Sequence, residues 1–90
     1  MPTSRFLSNR LQVSNTTPTK FPNPMALTEG VQIRAESANT GNIYVGGTDL
    51  AAASSYFIKK DETLFIPIED LKYVWFLADV NNEAIRYFAI

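Results

Sequence analysis

Apolar and polar residues alternate with a period of two, in short runs that turn-forming residues interrupt about every eight to twelve positions. Successive side chains of a strand point to opposite faces, so each run can bury one face and wet the other. The clearest run is Val31, Ile33 and Ala35 alternating with Gln32, Arg34 and Glu36. Asn39-Thr40-Gly41-Asn42 follows, then Ile43-Tyr44-Val45 resumes the pattern. The two runs are predicted to pair as a hairpin, with Ile43 and Val45 sharing the buried face of Ile33 and Ala35. Asn39, Gly41 and Asn42 are the turn residues, glycine because it lacks Cβ and asparagine because its side chain bonds to nearby backbone. Gly46-Gly47 then ends the second run as a bulge or a sharp redirection. An anion cradle at these glycines would need a helix starting there. Thr48-Asp49-Leu50 and a few alanines are poor material for one, so turn architecture is the better reading.

Further strands are expected at Arg10–Ser14, Thr19–Phe21, Tyr56–Ile58, Thr63–Ile68, Lys72–Val80 and Ala84–Ile90, with a helical turn at Glu69-Asp70-Leu71 that tucks its leucine under a sheet. Thr19–Phe21 lies among Pro18, Pro22 and Pro24, which lack ladder donors and belong at a sheet edge, as does Pro67. The spacing predicts an all-β fold, a small antiparallel β-sandwich or compact barrel of six to eight short strands. Residues 1–24 are expected to be an irregular arm with one or two short strands, lying free or reaching a neighbouring subunit. Residues 25–90 are expected to form the sandwich domain.

Ninety residues bury a modest core, and with no cysteine a disulfide cannot reinforce it. A partner chain can, so oligomerisation or docking is expected. The absence of histidine and cysteine also removes thiolate zinc sites and histidine-based catalysis. Asp61-Glu62 and Glu69-Asp70 sit in turns, and adjacent strand residues point apart, so neither pair forms an acid/base constellation. No catalytic residue is assigned. Asp79, Asn81, Asn82 and Glu83 carry oxygen ligands but lack calcium-loop spacing and its glycine, so neither metal nor cofactor is assigned.

Eight basic and nine acidic residues are scattered without runs, so no nucleic-acid partner is expected. No stretch approaches the roughly 20 apolar residues that span a bilayer, so no membrane partner is expected either. The N-terminus lacks the apolar segment of a signal peptide, since Phe6-Leu7 runs at once into Ser8-Asn9-Arg10. Among the eleven aromatic residues, those of Lys72–Val80 and Ala84–Ile90 put large groups on both strand faces. That pattern nominates an interface, with Phe21, Trp75, Phe76, Phe88 and Ile90 as its residues.

The run Ser37–Leu50, with Thr63–Ile90 after a charged turn, resembles small β-rich structural proteins of tailed bacteriophage virions. The resemblance rests on an Asn-Thr-Gly-Asn turn at Asn39–Asn42, Tyr-Val-Gly-Gly at Tyr44–Gly47, and closing strands within Lys72–Ile90. It covers the chain from about Val31 onward. It implies a non-enzymatic capsid decoration or cement protein, or a head-fibre or tail-fibre attachment component. The implied partners are the major capsid protein or other virion proteins and further copies of the chain, in a particle assembled in the bacterial cytoplasm. The alternatives are a carbohydrate- or receptor-binding module of a tail fibre, and a small carboxylate-dependent enzyme. A glycan site would display ordered aromatics beside polar groups, whereas an enzyme would show carboxylates converging in a concave pocket.

Overall fold

A computed structural model of the chain describes residues 7–47, 50 and 55–90. Its eight strands are β1 (Leu7–Val13), β2 (Thr19–Lys20), β3 (Val31–Ala35), β4 (Ile43–Gly46), β5 (Tyr56–Ile58), β6 (Thr63–Ile66), β7 (Trp75–Ala78) and β8 (Glu83–Ala89). One turn of 3-10 helix, Leu71–Tyr73, precedes β7. Two four-stranded antiparallel sheets result, ordered β1-β8-β3-β6 (sheet A) and β2-β7-β4-β5 (sheet B). The fold is all-β, as the alternation predicts, and of the sandwich and the barrel it is the sandwich.

The strand order has a simple physical origin. Leu7 faces Ala89, Thr19 faces Phe76, Val31 faces Ile66, and Ile43 faces Ile58. The described strands thus form one long hairpin, β1 to β4 paired with β8 to β5. Rolling this ribbon brings β3 beside β8 and β4 beside β7, which closes each sheet. That is the connectivity of an eight-stranded jelly roll. Pairing persists where the ribbon bends between sheets. Leu27 N–H donates to Glu69 O (2.8 Å) and Leu71 N–H to Met25 O (3.1 Å) at one bend. At the next, Ala35 N–H donates to Glu62 O (3.0 Å) and Asp61 N–H to Ala35 O (2.9 Å).

Several expectations are corrected by this topology. Val31–Ala35 and Ile43–Gly46 are not a hairpin, because β3 lies in sheet A and β4 in sheet B. Residues 36–42 arch from one sheet to the other, as do residues 79–82 between β7 and β8. Nor are residues 7–24 an arm beside the sandwich. β1 pairs with β8 over seven residues, and β2 forms an edge of sheet B. β8 lies between β1 and β3, at the centre of sheet A. Lys72 and Tyr73 belong to the 3-10 turn rather than to a strand.

The core fills the space between the sheets with the inward set of each strand: Val13, Val31, Ile33, Ala35, Ile43, Val45, Ile58, Phe76, Ala78, Ile85, Tyr87 and Ala89, joined by Leu71 and Val74. Phe21 lies among them, 4% exposed, with its ring edge-on to Phe76 of sheet B (centroids 5.3 Å apart) and Tyr87 of sheet A (4.5 Å). One aromatic thus touches both layers, and such pairs contribute about 0.5–1.5 kcal/mol beyond area burial. Gly30, at φ 143°, sits where a Cβ would lie 2.2 Å from Ile66 O, so only glycine fits against β6 there.

Candidate docking surfaces

Two faces depart from the ordinary polar exterior. The first is the open side of the sandwich, where β5 and β6 form the free edges of the two sheets. β5 has three residues and β6 four, and Pro67 ends the latter. These short strands leave a gap between the layers, an apolar cavity of about 330 Å³ lined by Tyr56, Leu64, Ile66, Ile68, Tyr73 and Val74 among others. Leu64, Ile66 and Ile68 pack on the core but remain half-buried. Tyr56 is 64% exposed although its position faces inward, in register with Val45 and Phe76. Tyr73 is 51% exposed across the seam. Asp70 caps the 3-10 turn that carries Tyr73, and its Oδ1 accepts from Met25 N–H (3.1 Å) and Lys72 N–H (3.0 Å).

The second face is the outer surface of sheet A. Register sets Arg10, Arg86 and Arg34 side by side across β1, β8 and β3. Glu36 Oε2 accepts from Nε of both Arg10 and Arg86 at 2.7 Å, which holds its carboxyl below the usual range. Arg34 meets Asp61 at 3.4 Å, and Ser37 Oγ also donates to Asp61, the larger cause of that carboxyl's lowered pKa. Sequence reasoning treated these arginines as scattered. The signal was a single arginine at an outward position in the middle of each of three strands.

The predicted turn residues serve as a clamp between the two inter-sheet arches. Asn39 is buried, and its side chain pairs with both backbone groups of one residue: Nδ2 donates to Ala84 O (2.9 Å) and Oδ1 accepts from Ala84 N–H (3.0 Å). The buried Glu83 carboxylate accepts from Thr40 N–H (3.0 Å) and Thr40 Oγ1–H (3.0 Å). Asn42 N–H donates to Asp79 Oδ2 (3.1 Å), and Tyr44 O–H to Asp79 Oδ1 (2.8 Å). At Gly41 an added Cβ would lie 2.7 Å from Asp79 Cβ, so glycine lets the arches touch. Gly46 ends β4, and Gly47 O accepts from Leu50 N–H (3.2 Å) in a turn. Thr48, Asp49 and the alanines at 51–53 lie outside the described residues.

Of the five interface candidates, Phe21 and Phe76 (0% exposed) are core residues, a correction that follows from their position between the layers. Trp75 and Phe88 are half-buried on the outer faces of sheets B and A, and Lys20 Nζ lies 5.1 Å from the Trp75 ring centroid. Ile90 is half-buried, its oxygen accepting from Thr28, Glu29 and Gly30 N–H at 2.8–3.1 Å. Among the described residues no group of three or more acidic, histidine or cysteine side chains is placed to hold a metal ion. Asp79 and Glu83 are instead engaged by the opposite arch. No protein-family model matches the chain, and no curated protein or solved structure matches it.

Proposed function

We propose that this chain is a non-enzymatic structural module that docks on a larger protein assembly, with the seam between β5 and β6 as its contact. The observation that carries the reading is the seam itself. Tyr56 and Tyr73 stand exposed on either side of an apolar gap that reaches core-packed leucine and isoleucine side chains. A small domain that leaves its core open along one edge gains stability from whatever covers it. The free edges of β5 and β6 also offer main-chain groups to an added strand.

The assembly proposed is a bacteriophage virion, as a capsid decoration or cement protein or a head-fibre component, present in several copies. Jelly rolls recur in viral capsid domains, which supports this by fold-level analogy only. The residues that carry the resemblance are divided by the structure. Asn39–Asn42 and Gly46-Gly47 maintain the fold, so the partner must be read from Tyr56 and Tyr73 instead. A photoreactive side chain at Tyr73 in native particles is expected to cross-link to a shell or fibre protein. Purified particles that lack the chain would refute the virion assignment, and particles that contain it without that cross-link would refute the seam.

Lectins also use jelly rolls, and one feature favours a glycan as a second reading. Tyr44 and Phe57 lie together on sheet B (centroids 5.9 Å), beside the Asp79 carboxylate that holds the Tyr44 hydroxyl. Binding on a glycan array that Phe57→Ala abolishes would favour it.

A further inference from the structure

We infer that the outer face of sheet A is a second binding surface, and that it takes an acidic protein segment carrying an apolar side chain about 7 Å from a carboxylate, the spacing of alternate residues along a strand. Three arginines in one cross-strand row repel one another, and folding alone gives no reason to line them up. Among the described residues two carboxylates answer them. Glu36 is shared by Arg10 and Arg86, and Asp61 lies 3.4 Å from Arg34 while also held by Ser37. The row therefore keeps one positive charge in excess. A guanidinium has five N–H donors, and the ion pairs engage one on Arg86 and one on Arg34.

The surroundings are shaped as well as charged. Arg34 and Arg86 both line two open hollows, of about 380 Å³ and 270 Å³, that flank them on either side. The next row of the same face, two residues along each strand, is Ser8, Phe88, Gln32 and Phe65. Phe65 is 44% exposed and Phe88 half-buried, so apolar rings alternate with short or amide side chains beside the arginines. Arginine's planar fork matches a carboxylate bidentately. The aromatic row suits an apolar neighbour of that carboxylate rather than a second charge. A nucleic-acid backbone is the poorer fit, because it needs a longer basic stripe than three arginines partly neutralised from within. The face is separate from the seam, and its occupancy does not depend on the virion assignment.

The test is fluorescence anisotropy with the intact chain and a labelled eight-residue peptide in which glutamate and phenylalanine alternate with serine. Binding is expected to weaken as salt rises, and to fall about tenfold in Arg34→Gln or Arg86→Gln, the loss of roughly one charge-assisted hydrogen bond. Glu36→Gln is the discriminating variant. It removes the internal competitor for two arginines, so it should bind the peptide several-fold more tightly while lowering thermal stability, whereas a purely structural arginine row predicts no gain in affinity. Arg34→Gln loses only an exposed, long ion pair, so its melting temperature is expected to stay near the parent's. The proposal is overturned if the parent chain does not bind the peptide, or if a peptide with glutamine for glutamate binds equally. It is also overturned if Glu36→Gln fails to tighten binding, or if an oligothymidylate of similar length binds in preference.

Discussion

The arch end and the seam of this sandwich solve the same problem in opposite ways. Both are places where the regular ladder of strand pairing stops. At the arch end, residues 36–42 and 79–84 satisfy one another: the Asn39 amide replaces a missing strand for Ala84, and Glu83 takes both donors of Thr40. At the seam, apolar side chains from β6 and the β6–β7 bend face a gap that no other described element fills. A polar network is specific but has no surplus to offer a partner. An open apolar edge is poorly specified alone and gains most when covered. Function is therefore expected at the seam and stability at the arches.

The largest test removes the strand on which the arch end depends. Truncation after Asn82 deletes β8, the neighbour of both β1 and β3 and the source of Glu83 and Ala84. Loss of all cooperative unfolding by circular dichroism is expected. A truncated chain that still melts cooperatively would show that sheet A does not need its central strand.

Next in size is Asn39→Ala. It leaves the buried Ala84 N–H unpaired and removes one of the two donors to Ala84 O, which Glu36 N–H still bonds at 3.2 Å, so a loss of about 1–3 kcal/mol in urea denaturation is expected. Because the site lies at the arches, seam-dependent docking by the fraction still folded should be unchanged. A loss below about 0.5 kcal/mol, the range of ordinary surface substitutions, would mean that water replaces the amide and that the clamp is incidental.

What the sequence disclosed follows the same division. Alternation in Val31–Ala35 and Ile43–Val45 needs only the local geometry of an extended chain, so those inward sets were legible residue by residue, whereas the closing strands carry large groups on both faces and hid theirs. The link between β3 and β4 was not legible, because seven residues, 36–42, join hairpin partners and opposite sheets equally well. Gly46-Gly47 was legible as a redirection, but not that the strands before and after it pair along one ribbon. Phe21 was misassigned because flanking prolines mark an edge without saying which way the ring points. The arginine row depends on pairing among residues far apart in the chain, and only the closed sheet makes it a feature. The seam was half visible: Pro67 marked β6 as an edge, but not that β5 would lie opposite it.

Acid probes the arginine face. The Glu36 carboxyl is held below its ordinary 4.5 first by its bonds to Arg10 and Arg86, and Asp61 below 3.8 by Ser37 and Arg34. A depressed folded-state pKa contributes stability above the unfolded value and loses it as pH falls through the folded one. Melting temperature is therefore expected to decline from about pH 4.5 downward. In Glu36→Gln that acid limb should be shallower, because a carboxyl held low by two arginines no longer titrates. An unchanged limb would place the acid-sensitive carboxylate elsewhere.

The smallest effect on stability is the sharpest test of the comparison. Tyr73 is half exposed at the seam, with Lys72 Nζ 5.3 Å from its ring centroid as the ring contact that a serine would lose. Such surface changes fall within about 0.5 kcal/mol, so Tyr73→Ser should melt like the parent. Its effect should appear in association instead, because aromatic anchors carry a large share of interface energy. Sedimentation with the assembly is expected to drop while the urea midpoint stays fixed. Asn39→Ala should give the reverse pair of outcomes. If Tyr73→Ser instead destabilises the isolated chain by as much as Asn39→Ala does, then the tyrosine closes the core, the gap beside it is a packing detail, and the docking surface must be sought on the outer faces of the sheets.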